Sequence, residues 1–327
     1  MTAGPGQASP QHGRGPYLPL AGCSVTRTLD VFADPWTFLV VREAFFGVRH
    51  YEGFRGALDV SRGTLASRLT HLVAEGVLRR VPYRTAPPRF EYRLTRKGAM
   101  LFPSMIALMQ WGDRWLSADR EPPVQVWHRG CGPASDLRIV CRACRQPFDA
   151  RQASYRLGPG ANGCSASTPP AMRRSARADN FLRGRVDNVA RALTVVGDRW
   201  AFLLIREAFF GVRRFDAMLG HLGVATNVLA NRLQRLVEMG IFERQLYSSR
   251  PERHEYRMTR MGRDLYPSIL MLMRYGEEHL SEGGGPPLLV AHAPCGQRLV
   301  PALVCGACEE EVGVGDTGYR TAAGTLA

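Results

Sequence analysis

The sequence predicts a mainly α-helical protein with small β-hairpins, built from two copies of one domain. The first observation is a repeat, because the octapeptide at residues 42–49 recurs unchanged at residues 206–213, an offset of 164. The same offset aligns Cys141 with Cys305 and needs no gap between about residues 23 and 158. A period this long indicates a duplicated domain, since the units of solenoid proteins have roughly 20–50 residues.

The second observation is the order of elements within each copy. Asp34 and Pro35 supply an N-cap and a first-turn proline for a helix, and Gly47 and Gly76 are placed to end helices. Helix, helix, turn, helix and hairpin is the winged helix-turn-helix layout. The first copy is predicted to contain helices at 25–32, 35–46, 51–58 and 61–75, strands at 77–83 and 90–95, and a long apolar helix at 98–116.

The net charge and the length of the apolar runs limit the class of partner. The chain has 327 residues, 43 basic and 29 acidic, and a net charge of +14, which favours a polyanionic partner such as nucleic acid. Only Lys97 is a lysine, a bias typical of a GC-rich genome, so the sign of the charge is informative and the choice of arginine is not. No run reaches the roughly 20 apolar residues that span a bilayer, and the first 22 residues lack the apolar core of a signal peptide. We therefore expect a cytoplasmic protein with reduced thiols and no membrane partner.

The cysteines form two clusters of identical spacing. A His-x-x-Cys pair is followed after nine residues by a Cys-x-x-Cys pair, and both pairs recur in the second copy. On one short hairpin these four side chains suit a closed tetrahedral Cys₃His zinc site, and a ribbon too short for its own core needs such a metal. Buried or disulfide-paired cysteines are the alternative, and the histidines are the weakest candidates. Two structural zinc ions are predicted, one within each copy, with the ligand sets His128, Cys131, Cys141, Cys144 and His292, Cys295, Cys305, Cys308.

These elements give the domain organisation. The fold class is mainly α with small β wings (α+β), with two winged helix-turn-helix domains, each followed by a short zinc-ribbon-like hairpin. Composition rich in Gly, Pro, Ser and Arg predicts a disordered arm and a linker outside the domains. The predicted units are the arm at 1–22, a winged-helix domain at 23–120, a ribbon at 121–158, the linker at 159–185, a winged-helix domain at 186–284, and a ribbon with the tail at 285–327.

Both copies carry a set of short motifs at matching positions. In the first copy the motifs are Cys23, Asp34-x-Trp36, Arg42-Glu43, Ser61-x-x-x-Leu65-x-x-Arg68-Leu69-x-x-Leu72, Gly76-Val-Leu-x-Arg80, Tyr83, Pro88-Arg89-x-Glu91-Tyr92-x-Leu94-Thr95 and Gly98; the second copy has Asp198-x-Trp200, Leu229-x-x-Arg232-Leu233-x-x-Leu236, Gly240 and Glu255-Tyr256-x-Met258-Thr259. Together these motifs resemble the HxlR family of bacterial regulators, distant relatives of MarR. The resemblance implies a winged-helix fold that binds double-stranded DNA. The usual family member is a single-domain homodimer, and the tandem arrangement departs from it.

The helix at 61–75 and its counterpart are the predicted readers of DNA. A leucine stripe at i, i+4 and i+7 faces the core, so small hydroxylic side chains point outward in the first copy and amides in the second. Asn and Gln amides can form two hydrogen bonds with one adenine, and wing arginines are expected to contact phosphate or the minor groove. For Arg93 and Arg257 an internal ion pair with Glu91 or Glu255 is equally expected. The predicted DNA contacts are Arg62, Gly63, Thr64, Ser67, Thr70, His71, Arg84, Arg89, Asn227, Val228, Asn231, Gln234, Arg235, Arg250 and Arg253.

The helix at 98–116 is apolar on nearly every face, so both of its sides need burial. A partner domain would supply the second side, in an intramolecular pseudo-dimer or a homodimer, and a methionine-lined pocket for a small-molecule effector is the alternative. Cys23, just before the first helix, is a candidate redox thiol or an ordinary half-buried residue. Cys164 falls in the linker and is interpreted as incidental.

The predicted function is sequence-specific double-stranded DNA binding that regulates transcription. The prediction includes control of this binding by an effector or by redox state. The alternative is a scaffold that docks onto the transcription machinery through its zinc ribbons. An enzyme with Cys23 as nucleophile is disfavoured, because no motif places a histidine and an acid beside it. With four protein ligands the zinc sites also leave no open position for hydrolysis.

Overall fold

The computed structural model describes residues 23–32, 34–117, 122–163, 188–281, 283–321 and 324–326. The predicted arm at 1–22 lies outside these residues. So do Cys164 and most of the predicted linker, of which only the first residues, through 163, are described. Among the described residues, no helix is long and apolar enough to cross a membrane.

Each copy contains six α-helices and five or six short strands among its described residues. The first copy comprises α1 (Ser24–Val31), α2 (Pro35–Phe45), α3 (Tyr51–Leu58), α4 (Arg62–Ala74), β1 (Leu78–Arg84), β2 (Arg89–Leu94), α5 (Arg96–Ala99), α6 (Phe102–Leu116), β3 (Val124–His128), β4 (Leu137–Cys141) and β5 (Ala153–Leu157). The second comprises α7 (Asn188–Val196), α8 (Arg199–Phe209), α9 (Phe215–Leu222), α10 (Thr226–Glu238), β6 (Phe242–Ser249), β7 (Glu252–Met258), α11 (Arg260–Arg263), α12 (Tyr266–His279), β8 (Leu288–His292), β9 (Pro301–Cys305), β10 (Thr317–Thr321) and β11 (Gly324–Leu326).

Local capping explains where the helices begin. Asp34 accepts hydrogen bonds from the backbone N–H groups of Trp36 and Thr37, and Ser61 accepts from Thr64, as expected for N-caps. The single helix predicted at 98–116 is wrong, because the structure has two helices there. Thr95 caps the short α5, the chain turns, and α6 restarts with a proline in its first turn, where the missing N–H costs nothing.

Within each copy, helices and a wing enclose one side of a common core. Helix α4 packs on α2 and on β1, and β1 pairs with β2 in an antiparallel hairpin. Leu65, Leu69 and Leu72 are fully buried on the inner face of α4, as the stripe predicts. The predicted fold class, mainly helical winged helix-turn-helix domains with small β-hairpins, is confirmed.

The two copies pack against each other through exchanged helices. Helix α1 of the first copy lies on α12 of the second, α7 lies on α6, and α6 contacts α12. Thr28 Oγ1 donates to the carbonyl oxygen of Leu272 at 2.9 Å, and the indole N–H of Trp111 donates to that of Met261 at 2.9 Å. The apolar helices that the sequence predicted to need a partner domain are therefore buried between the copies.

The strands that follow each winged-helix domain are exchanged as well. β4 pairs with β9, β5 with β8, and β10 with β3, all antiparallel and all between copies. The expectation that each ribbon pairs its own strands is therefore wrong. The physical reason is burial: Val140, Ala302 and Val304 form a small core of their own only when β4 and β9 lie side by side.

Candidate nucleic-acid interface and metal centres

Helix α4 presents an exposed face of short side chains beside the first wing. Gly63, Ser67 and Thr70 are exposed, while Thr64 is half-buried and shares a hydrogen bond with the Ser61 hydroxyl. Arg62 at the start of the helix is exposed as well. Side chains this short allow the helix backbone to approach a major groove closely.

Helix α10 presents amides at the corresponding positions. Asn227, Asn231 and Gln234 are exposed, and Val228 is half-buried. Within the described part of the chain, the side-chain hydrogen bonds of Asn231 and Gln234 are local: the Asn231 Oδ1 accepts from Arg232 at 3.0 Å, and the Gln234 Nε2 donates to Glu238 at 2.9 Å. Such exposed local bonds can be exchanged for base edges at low cost, because both states keep the amide hydrogen-bonded.

Two residues predicted as DNA contacts point toward the protein instead. His71 is half-buried, and its Nε2 lies 2.9 Å from the carbonyl oxygen of Val31 near the end of α1. Arg235, at the same place in the second copy, donates to the carbonyl oxygen of Thr194 in α7 at 2.9 Å. We call α4 and α10 the reading helices. In these conformations the two side chains hold α4 against α1 and α10 against α7.

An ion pair that sequence reasoning did not single out fixes α4 to the start of α2, and its counterpart fixes α10 to the start of α8. Arg68 contacts Asp34 at 2.8 Å, and Arg232 contacts Asp198 at 2.8 Å. Each aspartate is also the N-cap of α2 or α8, so one carboxylate serves both contacts. The signal was available, since the offset of 164 maps both members of one pair onto the other.

The wings carry the remaining predicted contacts. Arg84 and Arg89 are exposed on the first wing, and Arg250 and Arg253 on the second, where nothing covers them among the described residues. Arg93 pairs with the buried Glu91 at 2.6 Å. The structure shows the internal ion pair in both copies, between Arg93 and Glu91 and between Arg257 and Glu255.

The eight predicted metal ligands do come together in two clusters, but not in the predicted sets. The ligand atoms of each cluster lie within 4.8 Å of one another. The grouping within single copies is wrong, because strand exchange carries each Cys-x-x-Cys pair to the other copy's His-x-x-Cys pair. Cluster A is His128, Cys131, Cys305 and Cys308, and cluster B is Cys141, Cys144, His292 and Cys295.

Backbone turns aim the cysteines of both clusters inward. After each Cys-x-x-Cys pair the chain adopts a left-handed residue, Arg145 or Glu309, whose N–H donates back to the carbonyl of the first cysteine. The N–H of Ala307 points at the Cys305 sulfur at 3.4 Å. Burial opposes ionisation of Cys305, but hydrogen bonds to its sulfur from the backbone N–H groups of Cys308 and Ala307 and from the side chains of His128 and Cys131 together lower its pKa to about 6. A thiolate is the form that binds a metal.

The ligand distances fit zinc. The Nδ1 of His292 lies 3.4 Å from the sulfurs of both Cys144 and Cys295, and that of His128 lies 3.4 Å from the Cys308 sulfur. Zinc bonds of about 2.3 Å to sulfur and 2.0–2.1 Å to nitrogen, at tetrahedral angles, separate these atoms by about 3.5 Å. Three sulfurs and one imidazole around one point therefore match a closed structural site.

The candidate redox thiol and a larger cavity lie at the interface of the copies. Cys23 is 3% exposed at the start of α1. It lines a narrow cleft with Arg206 and Tyr266 of the second copy. A cavity of about 260 Å³ lies elsewhere on this interface, lined among others by Arg42 and Tyr319.

The fold and the exposed reading helices define a helix-turn-helix protein of the kind that regulates transcription. The family model described as HxlR-like helix-turn-helix matches residues 31–120 and 195–283, more than half of the sequence, and the chain belongs to this family. The match falls once on each copy, which supports the tandem duplication.

The relatives match stretches shorter than one repeat of 164 residues. An uncharacterised HTH-type transcriptional regulator of Mycobacterium tuberculosis is 50% identical over 126 residues, 38% of this chain and 80% of the relative. One of Synechocystis sp. is 36% identical over 98 residues, 30% of this chain and 73% of the relative. A solved structure, PA1607, proposed to be a transcription factor, is 38% identical with a TM-score of 0.35, covering 38% of this chain and 88% of that one.

Proposed function

We propose that this protein binds double-stranded DNA sequence-specifically, in the cytoplasm, and regulates transcription through both winged helix-turn-helix domains together. The observation that carries the proposal is the pair of reading helices. Each is anchored by a buried leucine stripe and turns an exposed polar face outward beside exposed wing arginines. A net charge of +14 adds the long-range attraction to a polyanion that such proteins use.

The two readers differ in chemistry, which gives the operator a predicted form. Gly63 and Ser67 offer small groups, whereas Asn227 and Asn231 offer amides that discriminate a base by roughly 1–3 kcal/mol per bidentate pair. We therefore expect two unlike half-sites, with the second copy supplying more of the discrimination.

Selection of bound duplexes from random oligonucleotides tests the proposal. Enrichment of a consensus with two unlike halves is the expected result, and the logarithm of its affinity should fall linearly with the logarithm of salt concentration. A consensus with perfect two-fold symmetry would contradict the asymmetry of the readers. No enrichment from a folded, metal-loaded protein would contradict DNA binding and favour the alternative, a scaffold that docks through its ribbons.

We also propose that both clusters hold structural zinc. Three thiolate sulfurs and one imidazole leave no coordination position open, so the ions stabilise the fold and take no part in a reaction. Metal analysis of reduced, unchelated protein should find two equivalents per chain, and less than one would refute the proposal. Regulation by a small-molecule effector, in the cavity beside Arg42, or by oxidation of Cys23 stays a prediction.

A further inference from the structure

Each of the two ligand clusters takes two of its four residues from the first copy and two from the second. In cluster B the His292 Nδ1 and the Cys144 sulfur are 3.4 Å apart although 148 residues separate them in sequence. In cluster A the His128 Nδ1 and the Cys308 sulfur are equally close across 180 residues. Any ion bound in either cluster therefore bonds to both copies at once.

Strand pairing puts the clusters at opposite ends of one small sheet. Across the β4–β9 pair, Leu137 lies opposite Cys305 and Cys141 lies opposite Pro301. The histidines are carried by the flanking pairs, in which His128 lies opposite Thr317 and Ala153 opposite His292. Every ladder that positions a ligand is thus a ladder between the copies.

Polar contacts connect the strands of these inter-copy ladders to the helices. Gln110 of α6 donates to the carbonyl oxygen of Leu137 in β4 at 2.6 Å, and Arg274 of α12 donates to that of Pro301 in β9 at 2.9 Å. The Tyr319 hydroxyl on β10 donates to the carbonyl oxygen of Phe46, just after α2, at 2.6 Å. Helix α2 in turn packs on the reading helix α4.

We propose that the two zinc ions are reciprocal clamps that fasten the copies to each other and thereby fix the separation of the two reading helices. The inference rests on the proposed zinc and DNA binding, and it adds which ligands share an ion and what the ions do. Without the ions, β4 and β9 keep their short ladder and the packing of Leu137 and Leu303 on the main core, but short ribbons depend on metal for much of their folding energy. Metal loss then removes one of the two connections that set the separation of the readers, and the helices packed between the copies remain.

The clusters differ in exposure, which allows them to be told apart in the wild-type protein. Cys131 and Cys308 of cluster A are exposed, whereas Cys141 of cluster B is buried and Cys144 and Cys295 are half-buried. A chelator should therefore strip cluster A first.

The first test is a limited treatment of the reduced, zinc-loaded protein with a chromophoric chelator, followed by alkylation with N-ethylmaleimide and mass spectrometry. At release of one equivalent we expect Cys131, Cys305 and Cys308 to be alkylated together while the cysteines of cluster B stay protected. Joint alkylation of Cys131 with Cys141 and Cys144 would overturn the shared sites.

The second test counts tightly bound zinc in double variants. It identifies the ligand sets even if the chelator removes both zinc ions at the same time in the first test. Cys141→Ser with Cys295→Ser removes two ligands from cluster B and should leave one tight equivalent. Cys131→Ser with Cys141→Ser damages both clusters and should leave none. No tight zinc in the first double variant and one equivalent in the second would overturn the proposal. Cys164→Ser, in neither motif, is the matched control and should keep two equivalents.

Operator affinity of the same samples tests the clamp itself. For the Cys141→Ser, Cys295→Ser protein and for stripped wild type we expect a loss of operator affinity, restored in the wild type by added zinc. Unchanged affinity after metal loss would overturn the clamp. Failure of the loaded wild type to bind any duplex would instead refute the proposed function, and the alkylation pattern and zinc counts would still report the ligand sets.

Discussion

Replacement of Gly276 by alanine should open the contact between the copies. Gly276 lies in α12 where α1 of the other copy crosses, and its missing side chain is what lets the helices approach. A Cβ there would stand 2.2 Å from the carbonyl oxygen of Ser24 and 2.7 Å from the Thr28 hydroxyl. Backbone cannot yield as a flexible side chain can, so the helices must move apart by about 1 Å to reach ordinary contact.

The size of the effect follows from that displacement. Overpacking of a well-packed contact costs about 1–3 kcal/mol. The same movement stretches the buried bond from Thr28 to Leu272, which starts at 2.9 Å and contributes about 1 kcal/mol. Alanine gains about 1 kcal/mol over glycine in helix propensity, so the free energy of unfolding should fall by about 1–3 kcal/mol.

Urea denaturation of the zinc-loaded protein measures this change in the free energy of unfolding. The operator affinity of the same variant shows whether the two reading helices still bind DNA together. The matched control is Gly220→Ala in α9, an exposed helical glycine whose Cβ would meet nothing within 4 Å. The control should be slightly stabilised and should bind DNA as the wild type does. Equal stability of both variants would refute the described crossing of α1 and α12.

The other predictions address the readers, the thiol and a buried carboxyl. Asn231→Ala should relax base preference in one half-site by about 1–3 kcal/mol, and Ser67→Ala by less, as measured by binding to single-base operator variants. Arg84→Ala should weaken binding to all duplexes alike and reduce the salt slope by about 1 in a titration of affinity against salt. For a sensing role of Cys23, peroxide should change the operator affinity of the wild type and not that of Cys23→Ser; equal responses would dispose of the role. Burial raises the pKa of Glu277 to about 7, despite a neighbouring guanidinium. Because this folded pKa exceeds the unfolded value of about 4.5, the carboxyl stabilises the protein below pH 4.5 and the benefit is lost as pH rises through 7. Urea denaturation at pH 5 and pH 8 should show this loss in the wild type and not in Glu277→Gln.

Local features of the fold could be predicted from the sequence because their causes are local. Asp34 and Ser61 begin helices through bonds to backbone two or three residues away, so the boundaries were predicted to within a residue or two. Periodicity also located the buried face of α4. It did not locate the partner of His71, because the direction of a Cα–Cβ bond does not say where a long side chain ends.

The grouping of the metal ligands could not be predicted from the sequence, and the reason is the repeat itself. Both copies carry the same two motifs at the same spacing, so Cys141 and Cys144 would complete a Cys₃His site equally well with His128 or with His292. Only the pairing of β4 with β9 decides between them. That pairing is set by contacts between residues more than 150 positions apart, which no local pattern encodes.

Joining the copies in one chain explains how the readers can differ while their support stays matched. In a dimer of identical chains every change in a reading helix appears in both half-sites. Here the positions of Ser67 and Asn231 have diverged, yet His71 and Arg235 both still reach a backbone carbonyl near the end of the first helix of their copy. The exchanged helices and strands keep the two domains in one assembly, so in the proposed mode of DNA binding a substitution on one exposed face would alter one half-site alone. In the proposed mode of DNA binding, an operator with unlike halves is the form of DNA that such an arrangement would read and a symmetric pair would not.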